Sequence, residues 1–180
     1  MEVKDVFIKG LKIIKPAIFE DVRGTFFESY NTEKFVKFGI EENFVQDNQS
    51  LSHKGILRGL HFQTGEFAQA KLVRVIKGSV IDVAVDLRKN SSTFGKHFSL
   101  ELNDRNNLMF YIPVGFAHGF IALEDQTIFV YKCSALYNKQ SEGGIIWNDT
   151  TLDIDWGLLK PIVSEKDAIL PAFNSEMSFF

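Results

Sequence analysis

The chain has 180 residues, 45% hydrophobic and 24% charged, with a net charge of −3 and both signs interspersed. That composition suits one globular domain over residues 1–180 with a sizeable core. It excludes a basic nucleic-acid binder and a protein held to an anionic membrane, and no apolar run approaches the roughly 20 residues that span a bilayer.

In chain order, period-two alternation predicts strands over 11–19, 25–30, 43–49 and 57–63. One short helix is expected from Thr32 to Phe38, with Thr32 as cap and Gly39 as stop. Leu72 to Ile76 reads as a strand, and Lys77-Gly78-Ser79 as a hairpin turn in which Gly supplies a positive φ. From Ile81 to Arg88 the apolar positions 81, 83, 85 and 87 face one way, and Asp82, Ala84, Asp86 and Arg88 the other. Further strands are predicted over 97–103, 107–112, 118–123 and 126–133. Ser164 to Ile169 reads as a single helical turn capped by its serine. The 18 Phe favour half-buried pleated surfaces. Many short strands with turn signals between them imply an all-β fold, a jelly roll with a few short helices. The Cys–Trp–Cys spacing of antibody-type sandwiches is absent, because Cys133 is the only cysteine.

The run Arg58-Gly59-Leu60-His61-Phe62-Gln63 places a cation, an imidazole and an amide on one strand, with His61 and Gln63 on the same face. An inward imidazole on a rigid strand suits a general base; standing alone it would be a hydrogen-bonded core histidine. Arg58, His61, Gln63, Lys71, His118 and Tyr131 together are too many polar groups to bury unpaired at several kcal/mol each. A cleft accommodates them. His53 and His97, beside Lys54 and Lys96, read as exposed and carry no role.

Pro113-Val114-Gly115-Phe116-Ala117-His118 resembles the second cupin motif, in which a proline–glycine turn delivers a histidine into the barrel. The first cupin motif supplies metal ligands where this chain has His61, Gln63 and Lys71. An amide weakens a divalent-metal site, and an ammonium puts positive charge beside the cation, so no metal is expected. Lys71 can instead stabilise negative charge on a substrate oxygen.

Seven blocks resemble the dTDP-4-dehydrorhamnose 3,5-epimerase family, in its order and over almost the whole chain. They are Gln46-Asp47-Asn48, Arg58 to His61, Ala70 to Val75, Asp82 to Asp86, Pro113 to Phe120, Tyr131-Lys132-Cys133 and Ser164 to Asp167. The resemblance implies a cupin jelly roll that inverts carbons 3 and 5 of a dTDP-linked 4-keto-6-deoxyhexose without a cofactor. It implies His61 as catalytic base, Asp167 as its carboxylate partner, Tyr131 as general acid and Lys71 as enolate stabiliser. It also assigns Arg23, Phe26, Glu28, Gln46, Asp47, Asn48, Arg58, His118, Glu142 and Lys166 to substrate binding, and Tyr137 to stacking on thymine. From Asp167's own surroundings, a solvated loop carboxylate is the simpler reading. The chain departs from the family at Thr64 to Phe67 and at Gly143-Gly144, both on loops.

The resemblance further implies a homodimer whose segment 19–28 reaches toward the neighbouring site, with Phe19, Phe26 and Phe27 as anchors. A lone cysteine, and a charged stretch over residues 1–20 that lacks the core of a signal peptide, lead to the expectation of a cytoplasmic protein with no membrane or nucleic-acid partner. Competing readings are an epimerase acting at one carbon only, a metal-dependent cupin oxygenase and a non-catalytic sugar-binding jelly roll.

Overall fold

The computed structural model describes residues 1–180. Its strands are β1 (Glu2–Asp5), β2 (Lys12–Lys15), β3 (Phe19–Asp21), β4 (Gly24–Phe26), β5 (Gln46–Ser52), β6 (Leu57–Gln63) and β7 (Lys71–Lys77). They continue with β8 (Ser79–Asp86), β9 (His97–Asn103), β10 (Met109–Ile112), β11 (Phe116–Ala122), β12 (Thr127–Cys133) and β13 (Glu142–Gly144). Two short helices, α1 (Thr32–Val36) and α2 (Glu165–Ala168), complete the fold.

Two antiparallel sheets face each other. One has the order β1-β2-β10-β7-β12-β5 and the other β13-β6-β11-β8-β9; β3 and β4 form a separate two-stranded hairpin. This is the cupin jelly roll. Between the sheets lies an aromatic and aliphatic core that includes Val73, Val75, Val80, Leu102, Phe110, Phe116, Phe120 and Phe129. Fully burying side chains of this kind contributes about 1.5–3 kcal/mol each. The outer face of the five-stranded sheet, with Val83, Val85 and Leu87, is covered by the chain after β13 through Ile145, Leu152 and Trp156. The outer face of the six-stranded sheet is partly covered by Phe35 and Ile40 of the segment around α1.

The expected hairpin at Lys77-Gly78-Ser79 does not form. β7 and β8 belong to different sheets, and Gly78 (φ +84°) is the corner where the chain crosses between them. A Cβ at Gly78 would lie 2.4 Å from Thr127 Oγ1, so the corner needs glycine for space as well as for φ. The strand expected over 11–19 stops at Lys15, because Pro16 has no N–H to continue a ladder. The strand expected over 43–49 lies three residues later. The first helix is capped by Asn31, whose side chain accepts from the Lys34 amide, rather than by Thr32. Besides β3, of which only Phe19 fell within an expected strand, two strands had no sequence signal. β13 is one: Gly143 and Gly144 are poor strand formers, but β13 pairs with β6, and Cβ atoms there would come within 2.6 Å of the Phe62 ring and 2.7 Å of Leu170. β1 is the other; it pairs with β2 at the sheet edge. His97 is half-buried rather than exposed, whereas His53 is exposed.

Candidate active site

Along the inward face of β7, the run Val75, Val73, Lys71 passes from core to cavity; along β12, Phe129, Tyr131 and Cys133 do the same. The cavity is about 630 Å³ and is lined by Arg58, His61, Lys71, His118, Tyr131 and Asp167, among others. It continues into a hollow of about 320 Å³ toward Gln46, Tyr137 and Glu142, and the two share Asn48, His61, Lys71 and Tyr131. Both volumes fall in the range of small-ligand sites.

His61 lies on β6 directly opposite His118 on β11. Strict alternation would turn Arg58 to the opposite face from His61. Between the pairs His118–His61 and Phe120–Arg58, however, β6 carries one extra residue, so both side chains reach the same cavity. Gly59 (φ +135°) sits in this bulge, where a Cβ would lie 2.5 Å from Gly119 Cα.

His61 Nε2 meets Asp167 Oδ1 at 2.7 Å, and Asp167 Oδ2 accepts from the Gly59 amide at 3.3 Å. Asp167 stands in the short helix α2, whose cap Ser164 accepts from the Asp167 amide at 3.0 Å. It is therefore a buried partner of His61 and not the solvated loop charge that its local sequence suggests. Burial alone would raise the Asp167 carboxyl pKa. The bonds from His61, Gly59 and Ser164 more than reverse this and hold it below the ordinary value.

His118 is buried and bonds Asp82, with Nε2 3.0 and 2.9 Å from its two oxygens. Burial pushes the His118 pKa down against the pull of Asp82. Burial also pushes the Lys71 ammonium down, opposed by Cys133, Asp82 and Glu142. The Tyr131 phenol is pushed up by burial and by Cys133, against Arg58, so it keeps its proton at neutral pH. The Tyr131 hydroxyl has no hydrogen-bond partner within the chain. Arg58 donates to Ser52 Oγ at 3.3 Å and makes no ion pair, which leaves its guanidinium free at the cavity mouth.

The remaining predicted residues divide into four groups. Asn48 lines the cavity, with its amide 3.6 Å from Cys133 Sγ. Gln46, Tyr137, Glu142 and Lys166 lie at its rim: Glu142 bridges Lys166 at 2.6 Å and the Tyr137 hydroxyl at 3.0 Å. Asp47 faces the other way. It pairs with Lys132 at 2.9 Å on the outer side of the six-stranded sheet, because neighbouring residues of a strand point to opposite faces. Arg23, Phe26 and Glu28 do not reach the cavity of their own chain: Arg23 pairs with Asp21, Glu28 with Lys34 at 2.8 Å, and Phe26 is 71% exposed.

Two residues here had no assigned role. Asp82, the partner of His118, was signalled by an acidic residue on the inward face of an otherwise apolar strand. Gln63 points inward as expected, but its amide is fully engaged by backbone groups of two loops. No three His, Cys, Asp or Glu side chains converge as a metal-ligand group.

This arrangement holds a carboxylate-oriented imidazole, a half-buried ammonium and a protonated phenol around one cavity, the parts required to remove and return a proton beside a carbonyl. The family model for dTDP-4-dehydrorhamnose 3,5-epimerase matches residues 5–175. A curated dTDP-4-dehydrorhamnose 3,5-epimerase of Methanothermobacter thermautotrophicus is 51% identical over 163 residues, covering 89% of this chain and 88% of its own. The crystal structure of dTDP-4-dehydrorhamnose 3,5-epimerase from Elizabethkingia anophelis superposes with a TM-score of 0.93 at 51% identity, covering 98% of each chain. A dTDP-6-deoxy-D-glucose-3,5-epimerase from Legionella pneumophila, solved in complex with dTDP-4-keto-L-rhamnose, superposes with a TM-score of 0.90 at 42% identity, covering 96% of this chain and 98% of that one. Motif order, fold and near full-length similarity therefore converge: this chain belongs to the dTDP-4-dehydrorhamnose 3,5-epimerase family.

Proposed function

We propose that this chain inverts carbons 3 and 5 of dTDP-4-dehydro-6-deoxy-D-glucose, giving dTDP-4-dehydro-L-rhamnose. The observation that carries the reading is the His61–Asp167 pair at 2.7 Å, opening on a cavity that also holds Lys71 and Tyr131. Both target carbons flank the ketone at carbon 4, so one carbonyl acidifies both protons. His61, oriented by Asp167, takes the proton. The C–H electron pair moves into the ring to form an enolate, whose oxygen meets the Lys71 ammonium. Tyr131, on the opposite sheet, delivers a proton from the other face, and the electron pair returns to carbon. The balance involves protons only, so the chemistry calls for no electron carrier. A positioned base contributes roughly 10²–10⁴ in rate and an oxyanion donor about 3–4 kcal/mol.

Arg58 and Lys166 are assigned to the diphosphate: no carboxylate of the chain pairs with Arg58, and Lys166, bridged to Glu142 at 2.6 Å, lies at the cavity rim. Asn48 and Glu142 line the way to the nucleotide end, where the exposed Tyr137 ring offers a stacking face.

The working form is a homodimer. Support comes from the β3–β4 hairpin, which leaves Phe19 and Phe26 64% and 71% exposed. A two-stranded hairpin is marginal alone and gains by packing on a second copy. Arg23, Phe26 and Glu28 would then serve the partner's site. The free buried Cys133 thiol accords with a reducing, cytoplasmic setting.

The test is incubation with the 4-keto sugar nucleotide in deuterium oxide, followed by NMR at each ring position. Deuterium at carbons 3 and 5 is the expected result. Label at one carbon only would replace the reading with a single-site epimerase, and no label with a binding protein.

A further inference from the structure

We infer that Gln63, with Gln46 and Gln69, forms a clamp that positions Tyr137 for nucleotide recognition. The inference rests on the stacking role given above to Tyr137. Tyr137 lies on the loop between β12 and β13, and this loop is held by successive side chains. Gln69 Nε2 donates to the Ala135 carbonyl at 2.8 Å. Gln63 Nε2 donates to the Leu136 carbonyl at 3.1 Å, and Gln46 Oε1 accepts from the Tyr137 amide at 2.9 Å. Gln63 Oε1 then accepts from the Asn138 amide at 2.7 Å. The other Gln63 amide hydrogen goes to the Phe67 carbonyl at 2.8 Å, which ties down the 65–67 turn as well. Each residue from 135 to 138 thus has one backbone group bound by a glutamine.

Three features separate this clamp from ordinary loop packing. Gln63 is 5% exposed and its amide is fully used, so it acts through the loop and does not itself touch the ligand. Tyr137 is 56% exposed, and apart from its hydroxyl's bond to Glu142 at 3.0 Å its placement follows the backbone of this loop. Gln63 also stands two residues from His61 on β6, on the same face. The base and the anchor of the stacking platform therefore share one rigid strand, and the spacing between the reacting carbon and the nucleotide base is set by a strand rather than by a loop. A platform ordered beforehand spares binding the entropy of ordering it, so the clamp acts on affinity.

The test measures binding of dTDP alone, by calorimetry, together with the kinetics of epimerisation. Gln63→Leu is expected to weaken dTDP binding about tenfold, the scale of a lost base-stacking contact, with KM rising in parallel and kcat moving far less. Gln69→Ala removes only the Ala135 tie and should weaken dTDP about twofold to threefold; it decides the matter should Gln63→Leu fail to fold. The discriminating measurement is the double-mutant cycle. In a Tyr137→Ala background, Gln63→Leu should cost little further affinity, because the platform it holds is gone. Additive losses, or unchanged dTDP affinity in the single glutamine variants, overturn the clamp. If Tyr137→Ala by itself leaves dTDP binding unchanged, the stacking role fails instead, whatever the glutamine variants do.

Discussion

Two histidine–aspartate pairs stand side by side in the barrel, on strands that place His61 directly opposite His118. In both, an imidazole Nε2 meets a carboxylate within 3.0 Å. They differ in what surrounds them. The His61 side chain is 30% exposed and its Asp167 arrives from a distant short helix, whereas His118 and Asp82 are 7% and 0% exposed and come from adjacent strands. The open pair can meet a substrate carbon. The closed pair has no free face on that scale; it is packed behind the cavity, next to Lys71. Solvent access, more than the pairing itself, distinguishes the two.

Variants can break or sharpen this contrast. The largest effect is expected for His61→Ala, with deuterium exchange at the sugar falling by about 10²–10⁴ while dTDP binding persists. Exchange at the normal rate in that variant would transfer the base role elsewhere, with His118 the first candidate.

Next comes Lys71→Met, expected to cost about 10²–10³ in turnover through loss of the oxyanion partner. The same change should stabilise the fold at neutral pH, because the folded-state pKa of Lys71 is lowered by burial and its charge opposes folding. That gain should disappear above the ordinary lysine pKa of about 10.4, where neither folded nor unfolded chain carries the charge. In the native enzyme the alkaline limb of turnover should have its midpoint below about 10.4, and Lys71→Arg should move what activity remains to higher pH. Thermal melts and pH–rate profiles read both.

Asp167→Asn should reduce turnover about 10²-fold, since the imidazole loses the charge that orients it. It should also destabilise the fold by about 1–3 kcal/mol at neutral pH. Asp167 has a lowered folded pKa, so its stabilising contribution is complete above the unfolded value of about 3.9 and is lost as pH falls through the folded value. Denaturation of the two proteins should therefore converge in acid. A stability gap that persists there would argue against an ionised Asp167.

The smallest effect on turnover is expected for Asp82→Asn, about tenfold, equivalent to roughly 1.4 kcal/mol from one weakened charge-assisted hydrogen bond. A loss as large as that of His61→Ala would erase the distinction between the open and closed pairs.

Most strands were legible because alternation is a local property: Leu57–Gln63 and His97–Asn103 have the bounds that periodicity indicates. The site was legible to the extent that its residues lie in recognisable blocks. That His61 and Gln63 share a face follows from spacing alone; Asp47, one residue from Gln46 and Asn48, was grouped with them for substrate binding but turns outward to Lys132. Local pattern failed at the bulge that brings Arg58 round to His61, at the Gly78 corner mistaken for a hairpin turn, and at β13, whose glycines pair only because β6 is present. Each depends on a neighbouring strand that is distant along the chain.

By itself the sequence determined the strand content, the inward polar residues and the family, since side-chain period and motif order are carried by near neighbours. Only the tertiary structure decided which histidine stays open to a ligand, which aspartate serves it, and that three glutamines are committed to holding a loop. Those outcomes depend on burial and on hydrogen bonds between segments as much as 108 residues apart, and chain-local spacing carries no record of either.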